Sequence, residues 1–382
     1  MSKLDELIAE LCPDGVEYTT IENVCTKISS GGTPNTSRSD YYGGDIAWLR
    51  TQEVDWVDIL DTGIKITEEG LNNSSAKWIP KNCVIVAMYG ATAAKVAINK
   101  IPLTTNQACC NLQVDKNKAL YRYVYYWLAN NYNELKALGQ GSQSNINAKI
   151  IRSFPIPLPP LPVQQEIVRI LDNFTELTAE LTAELTAELT ARRKQYEYYR
   201  DLLLTFGDDI SWCNLEEILK IRNGKDYKSF NVGNIPVYGS GGIMTYIDTY
   251  AYDKPSVLIP RKGSIDKLYY VEKPFWTVDT IFYTEIYTSK VIPKYVFYCL
   301  QKERLEQYNT AGGVPSLTQT VLNKVKIPVP PLDEQERIAA ILNRFDALCN
   351  DLTSGIPAEI EARQKQYEYY RDKLLSFKEV TA

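Results

Sequence analysis

Polar and basic side chains that can hydrogen-bond to nucleic acid cluster around glycine-containing turns in the first 155 residues. The stretch 29–54 contains Gly-Gly-Thr-Pro followed by polar residues, and the loop 139–147 reads GQGSQSNIN. Gln suits adenine and Arg suits guanine, while hydroxyl and ammonium groups reach phosphates. The candidate contact residues are Arg38, Arg50, Thr51, Gln52, Lys95, Gln107, Ser142, Gln143, Ser144 and Asn145.

A second group of candidates lies in residues 207–326 and is more basic. The segment 260–264, PRKGS, is a compact turn with two adjacent cations. The candidates of this group are Arg222, Lys225, Arg261, Lys262, Lys267 and Ser316. For both groups the alternative is a solvated surface without DNA contacts.

The composition restricts which catalytic chemistry the chain can perform. The sequence has no His, which excludes His-dependent triads, His general bases and HExxH metal sites. It also lacks a GxGxxG motif, a Walker loop and the NPPY or DPPY tetrad of adenine methyltransferases. The eight cysteines form no CxxC pair, which favours free, mostly buried thiols. We therefore predict no catalytic residue, no metal site and no cofactor in this chain.

Composition and charge are typical of a globular cytoplasmic protein. Hydrophobic residues make up 45% and charged residues 23% of the chain. No apolar run approaches the roughly 20 residues of a membrane span, and the N-terminus lacks a secretory pattern. The net charge of −5 comes mainly from the segments 156–206 and 327–382, whereas Lys and Arg slightly outnumber Asp and Glu in 207–326. Because DNA affinity depends on local patches, partner subunits are expected to supply much of the phosphate contact.

The chain contains an internal duplication with an offset of 171 residues. The sequence IPLPPLPVQQEIVRILDNFTEL at 156–177 matches IPVPPLDEQERIAAILNRFDAL at 327–348. Likewise, ARRKQYEYYRDLLLTF at 191–206 matches ARQKQYEYYRDKLLSF at 362–377. The resulting order of globular and helical parts predicts an α+β fold with four segments: 1–155, 156–206, 207–326 and 327–382.

The two globular segments match more faintly. VIVAMYG at 84–90 aligns with VLIPRKG at 257–263, and YVYYWL at 123–128 aligns with YVFYCL at 295–300. The segment 141–146 aligns with 312–317. We therefore expect two globular domains that share a frame and differ in detail.

Apolar residues at steps of three and four predict one long helix over 163–206, about 66 Å in length. The second copy begins in the same way, with a break expected at Gly355-Ile356-Pro357. We predict that the helical segments pair antiparallel as a coiled coil, giving a pseudo-two-fold arrangement; alternatively, each packs only on its own domain. The repeated tyrosines Tyr196, Tyr199, Tyr367 and Tyr370 either pack between these helices or dock other subunits.

Within the first helical segment, residues 178–189 read TAEL three times. Glu residues repeat at i, i+4 with no Lys between them, which is unfavourable for a helix. The repeat is either a helix-forming filler or a ruler, since each tetrad adds about 6 Å.

Together, the duplicated IPxPPLxxQxxI motif, the KQYEYYRDxLL helix ends and the TAEL tetrads resemble the specificity subunits of Type I restriction-modification enzymes, in the branch known for such tetrads. The resemblance covers essentially the whole chain. It implies two target-recognition domains, each reading half of a split site in double-stranded DNA, and helices that set the spacer. It also implies two methyltransferase subunits with S-adenosylmethionine docked on the helices, and motor-nuclease subunits that use ATP and magnesium. This chain would be non-catalytic.

Two alternatives remain at this stage. The chain could be an enzyme in its own right, which the missing catalytic motifs disfavour. It could also be a two-headed scaffold that binds proteins and not DNA, which the duplication and the helices fit equally well.

If the tetrads act as a ruler, deleting one TAEL should shorten the spacer of the recognised DNA site by one base pair or slightly more. The reason is that about 6 Å of helix corresponds to more than one 3.4 Å base-pair step. Mapping of methylated sites for the two-tetrad variant measures the spacer, and an unchanged spacer would refute the ruler.

Overall fold

The chain forms two compact units in a computed structural model that describes residues 2–139, 145–207, 209–309, 312–350 and 355–380. The first unit comprises Met1–Leu181 and Ala362–Ala382, and the second comprises Thr182–Glu361. Each unit therefore combines one globular segment with parts of both helical segments. The predicted contact residues Ser142, Gln143 and Ser144 lie outside the described residues.

The first globular segment is a mixture of short strands and helices. Its elements are α1 (Lys3–Leu11), β1 (Tyr18–Thr20), β2 (Cys25–Ser30), β3 (Tyr42–Leu49), β4 (Asp58–Ile59), β5 (Lys65–Ile66), α2 (Glu68–Asn72), β6 (Trp78–Ile79), β7 (Val84–Ala87), β8 (Val96–Asn99), β9 (Leu103–Thr105), β10 (Cys109–Val114), α3 (Tyr121–Asn130), α4 (Tyr132–Ala137), α5 (Ala148–Ser153) and β11 (Pro155–Pro157). The long helix α6 (Leu161–Leu203) follows.

The second globular segment repeats this plan with fewer elements. They are β12 (Trp212–Asn214), α7 (Leu215–Ile218), β13 (Leu219–Asn223), β14 (Val232–Gly239), β15 (Gly242–Ile247), β16 (Ser256–Pro260), β17 (Tyr269–Val271), β18 (Trp276–Thr277), β19 (Ile281–Ile286), α8 (Pro293–Lys302), α9 (Gln319–Leu322) and β20 (Lys326–Pro328). Two helices follow, α10 (Leu332–Asn350) and α11 (Ile356–Leu374).

In the first unit, a sheet of order β2-β10-β7-β8-β4 is covered on both faces. Strand β7 is buried throughout, and its side chains alternate between two cores. Val84 and Val86 belong to the core that contains α3 and the start of α6. Ile85 and Ala87 belong to a core shared with the second sheet, β5-β3-β9-β6. Burial of both faces explains why VIVA is a continuous apolar run.

The second unit has the same layering, with a sheet of order β13-β19-β16-β17 and a second of order β15-β14-β18. Val257 and Ile259 of β16 face the core that contains α8 and α10. Leu258, between them, faces the opposite core. Strand β16 therefore occupies the place of β7, as the alignment of VIVAMYG with VLIPRKG predicted.

A buried glutamine ties each globular segment to the helix that follows it. The Gln164 side chain accepts from Leu120 N at 2.9 Å and donates to the carbonyls of Lys118 at 3.1 Å and Pro159 at 2.8 Å. Gln335, at the duplicated position, accepts from Ile292 N at 2.9 Å and donates to the carbonyls of Lys290 and Pro330 at 3.2 and 2.8 Å. Both side chains are fully buried, so the duplication preserves a complete hydrogen-bond set and not only a sequence motif.

The helical segments differ in continuity, as predicted. The first is one helix of 43 residues that ends at Leu203, three residues before the predicted end. The second forms α10 and α11, and α11 begins at Ile356 with Pro357 in its first turn. The expected break is therefore confirmed, and its position fits the tolerance of helix N-termini for Pro.

Parts of the two helical segments pack against each other within each unit. In the first unit the rings of Phe174 and Tyr370 stack at 5.8 Å and 5°. In the second unit the rings of Tyr199 and Phe345 stack at 5.6 Å and 25°. Phe174 and Phe345 are duplicated positions, as are Tyr199 and Tyr370, so each copy provides the phenylalanine of one stack and the tyrosine of the other. Pairing between the helical segments, predicted from the sequence, is confirmed.

The segment after α11 completes the first globular core. Val16 N donates to the Lys378 carbonyl at 2.8 Å, and Val380 N donates to the Val16 carbonyl at 3.2 Å. Leu375 is buried in the same core as Leu4. Gly15 has φ +122°, and a Cβ there would lie 2.5 Å from the Lys378 carbonyl oxygen, so the contact requires glycine.

A double-mutant cycle on the Phe174–Tyr370 stack should give a coupling free energy of about 0.5–1.5 kcal/mol, the value typical of aromatic pairs. Hydrogen exchange of α6 and α11 amides in the Phe174→Ala, Tyr370→Ala and double variants measures it. Tyr369→Ala is the matched control, because this neighbouring ring is 63% exposed. Equal coupling of Phe174 to either tyrosine would contradict the assigned stack.

Candidate nucleic-acid interface

In the first unit, several predicted contact residues meet where strands begin or end at one edge of the sheet. Ser30 of β2 pairs with Cys110, and Ala87 of β7 pairs with Cys109 at the start of β10. The segments next to these strand ends therefore lie together. We call residues 31–38, 50–53, 88–95, 105–108 and Asn145 the first strand-end surface.

Hydrogen bonds join these segments to one another. Gln107 Oε1 accepts from the Thr33 hydroxyl. The Thr92 hydroxyl donates to the Thr51 carbonyl at 2.8 Å, and Asn145 Oδ1 accepts from Gly90 N at 3.1 Å. The predicted residues Thr51, Gln107 and Asn145, far apart in sequence, thus belong to one hydrogen-bonded surface.

In each unit, a tryptophan side chain holds the turn that follows the first strand of the larger sheet, β2 or β13. Trp48 Nε1 donates to the Gly32 carbonyl at 2.9 Å, and Trp276 Nε1 donates to the Lys225 carbonyl at 2.9 Å. A Cβ at Gly31 would lie 1.8 Å from the Thr105 carbonyl oxygen, and one at Gly224 would lie 2.0 Å from that of Val278. Both turns therefore require glycine for close packing.

The basic groups of the first strand-end surface are each paired with a carboxylate. Arg38 lies 2.5 Å from Asp40, and Lys95 lies 2.5 Å from Asp55. The hydrogen bond from Arg38 holds the pKa of the Asp40 carboxyl below its usual range. Arg50 pairs with Glu53 at 3.4 Å. With the Gln52 amide oxygen turned toward Arg50, this oxygen also accepts from the guanidinium group. The first surface is thus polar, and its cations are ion-paired.

The second unit has a corresponding surface at the same edge of its sheet. We call residues 224–228, 239–242, 260–268, 277–280 and Ser316 the second strand-end surface. Ser240 N donates to the Thr280 hydroxyl at 3.4 Å, and the Tyr269 hydroxyl donates to the Ser240 carbonyl at 3.1 Å. Burial raises the pKa of the Tyr269 hydroxyl. Lys262 and Ser316 form an isolated antiparallel bridge, which brings two predicted residues together.

The second strand-end surface differs from the first in the environment of its lysines. Lys225, Lys262 and Lys267 are exposed, and no carboxylate of the described residues lies within ion-pairing distance of their ammonium groups. Arg261 is half-buried, with its guanidinium 5.6 Å from the centre of the Phe282 ring. Arg222 lies behind the edge on β13 and hydrogen-bonds to Glu285 at 2.8 and 3.1 Å.

The four repeated tyrosines predicted to dock partners lie on the packed side of the helices. Tyr199 and Tyr370 form the stacks described above, and the Tyr367 hydroxyl lies 3.1 Å from that of Thr175. Tyr196 is 7% exposed and donates to Gln301 Oε1 at 2.7 Å, and its burial raises the pKa of its hydroxyl. Each of the four makes a contact within its own unit, but Tyr199 and Tyr370 are 37% and 39% exposed, and the docking role of the four stays a prediction.

The repeated helix ends also contain Tyr198 and Tyr369, which are 64% and 63% exposed. Sequence reasoning missed Tyr89, which is 43% exposed on the first strand-end surface. The signal for Tyr89 was available, because the alignment of 84–90 with 257–263 places it opposite the predicted Lys262.

All eight cysteines are free, and six of them are buried, as predicted. Burial raises the pKa of the Cys83 thiol to about 12. Among the described residues, no cluster of three Cys, Asp or Glu side chains could hold a metal ion. In the same part of the chain, no helix is long and apolar enough to cross a membrane.

A family profile described as the Type I restriction modification DNA specificity domain matches residues 13–191 and 208–362. The chain is 37% identical over 298 residues to the EcoR124I/EcoR124II specificity subunit of Escherichia coli, covering 69% of this chain and 72% of the relative. It is 31% identical over 389 residues to the EcoprrI specificity subunit of Escherichia coli, covering 92% and 93%.

Solved structures share the fold at low sequence identity. A chain from a structure on complex assembly and conformational transition of the type I R-M system matches with a TM-score of 0.71 at 17% identity, over 94% of this chain and 97% of that one. The HsdS subunit from Thermoanaerobacter tengcongensis matches with a TM-score of 0.56 at 16% identity, over 96% and 97%.

Replacing Lys225, Lys228 and Lys267, which are exposed on the second strand-end surface, by Ala together should lower the salt dependence of binding to random-sequence double-stranded DNA. Each lost phosphate contact reduces the slope of log K against log salt by about 0.9. The matched control removes three ion-paired cations, Arg38, Arg50 and Lys95, and should change the slope less. Equal effects of the two triple variants, measured by titrations at several salt concentrations, would show that ion pairing does not distinguish the surfaces.

Proposed function

Because the chain belongs to the Type I restriction modification DNA specificity family, we propose that its two units each read one half of a split, asymmetric DNA site. The observation that carries this proposal is the contrast between a duplicated frame and two unlike strand-end surfaces. Equivalent glutamine bonds and corresponding strands support both, whereas the cations of the first surface are ion-paired and exposed lysines of the second are not. Two globular segments with a shared fold and different strand-end surfaces suit a DNA site whose two halves differ in sequence.

The chain acts in this proposal as a recognition component, and the chemistry belongs to its partners. Methyltransferase subunits bring S-adenosylmethionine, and motor-nuclease subunits use ATP and magnesium. The sequence supports a non-catalytic role, since it has no His and no methyltransferase tetrad. This division of work also suits a weakly acidic chain, because partner subunits can supply further phosphate contacts.

The helical segments have two roles in the proposal. They set the number of unread base pairs between the half-sites, and they dock the methyltransferase subunits. An uninterrupted helix of 43 residues supports the first role, because a rigid element transmits each added turn as a fixed length. The second role is supported by the helices' exposed aromatic side chains, of a type enriched at protein interfaces.

Exchanging residues 207–326 for the corresponding segment of another family member should change one half of the methylated site and leave the other half and the spacer unchanged. The physical reason is that each strand-end surface is assembled from residues of its own unit. The measurement is genome-wide mapping of methylated bases in cells that also express the partner methyltransferase subunit.

The reciprocal exchange of residues 1–155 is the matched control and should change only the other half. A change of both halves by either exchange, or methylation of a continuous site by the unaltered protein, would contradict the proposal.

A further inference from the structure

The polypeptide makes the same turn at the same place in both strand-end surfaces. Met88 N donates to the Ala108 carbonyl at 2.8 Å, and the Met88 carbonyl accepts from Ile146 N at 3.0 Å. In the second unit, Arg261 N donates to the Thr280 carbonyl at 2.8 Å, and the Arg261 carbonyl accepts from Leu317 N at 2.9 Å. In each turn, hydrogen bonds therefore hold both the N–H and the carbonyl of this residue, Met88 in the first unit and Arg261 in the second.

Two residues further on, each turn has a glycine in the left-handed region, Gly90 at φ +80° and Gly263 at φ +81°. Gly90 N donates to Asn145 Oδ1 at 3.1 Å, and Gly263 N donates to the Pro315 carbonyl at 3.1 Å. A Cβ on Gly90 would meet nothing within 4 Å, so this glycine serves backbone conformation and leaves open space beside the turn.

The first turn also stores backbone strain. Ala94 is fully buried at φ +70°, a conformation that costs energy for any residue with a Cβ. Hydrogen bonds hold it there, since Ala94 N donates to the Ala87 carbonyl at 2.8 Å and Ala87 N donates to the Lys95 carbonyl at 2.9 Å. A strained turn held in this way is pre-organised for contact.

The residue that precedes the glycine of each turn has an exposed side chain. It is Tyr89 in the first unit and Lys262 in the second. We propose that Tyr89 and Lys262 are specificity-determining residues at equivalent positions, each contacting a base in its own half-site. The inference rests on the proposed function and deepens it. The neighbouring Met88 is buried and Arg261 is half-buried over the Phe282 ring, so Tyr89 and Lys262 are the more exposed residue of each pair.

The two side chains differ in the bases they can recognise. The Lys262 ammonium has three donors, which match the two acceptors O6 and N7 of guanine in the major groove. The Tyr89 hydroxyl both donates and accepts, and its ring offers an apolar surface. The half-site read by the second unit therefore contains a guanine contacted by Lys262, whereas the first half-site is recognised without a cation at this position.

The test uses the chain assembled with its methyltransferase subunit, and the variants Tyr89→Ala and Lys262→Ala. Methylated-base mapping should show Tyr89→Ala relaxing one half-site and Lys262→Ala relaxing the other at a guanine. In competition binding, the preference for the cognate over the substituted base should fall by about five- to a hundredfold. The half-site that is not altered reports in each case that the complex is folded and active.

Matched controls are exposed residues away from these turns, Leu60→Ala in the first unit and Tyr250→Ala in the second, which are 71% and 52% exposed. Both should leave the site unchanged. A uniform loss of affinity with an unchanged site would make Tyr89 or Lys262 a phosphate contact and overturn the inference. Unchanged binding and methylation would also overturn it, while the proposed function stands. If the unaltered complex has no split site, the proposed function itself fails.

Discussion

Two stacked aromatic pairs, Phe174 on Tyr370 and Phe345 on Tyr199, exchange partners between the two copies of the duplicated sequence. In each stack, one ring comes from the first copy and the other ring comes from the second. The helical part of each unit therefore depends on a segment that the other copy encodes. A substitution of one of these rings disrupts one stack and leaves the other intact. The two copies can therefore diverge in sequence as long as each ring keeps its partner.

The hydrogen bonds that anchor each globular segment to its helix lie away from the surface proposed to contact DNA. Gln164 and Gln335 join each sheet to its helix near the segments that follow β10 and β19, whereas the strand-end surfaces lie where these strands begin. The turns at that edge contribute little to the packing around the glutamines. Their sequences can therefore vary at small cost in stability, and this explains why the frame persists while the surfaces differ in side chains and ion pairing.

The sequence predicted the architecture well because it repeats itself, and repeated patterns expose the buried positions. The α+β class was accessible from the duplicated order of globular and helical parts, the helix break from Gly355 and Pro357, and the pairing of the helical segments from apolar spacing. Electrostatic detail was not, because the carboxylate partner of Lys95 is Asp55, which is 40 residues away in sequence and is brought close only by the fold. Arg261 likewise packs on a ring, which no local signal in PRKGS indicates.

The strand contact between Val16 and the backbone of residues 378–380 has a consequence for biosynthesis. A ribosome releases the elements of the first globular segment long before it adds Leu375 and Lys378. The first globular segment is thus closed only after the second has been translated, and its core stays open at one side until then. A chain whose translation stops before Leu375 would present this open side of the core to chaperones and proteases.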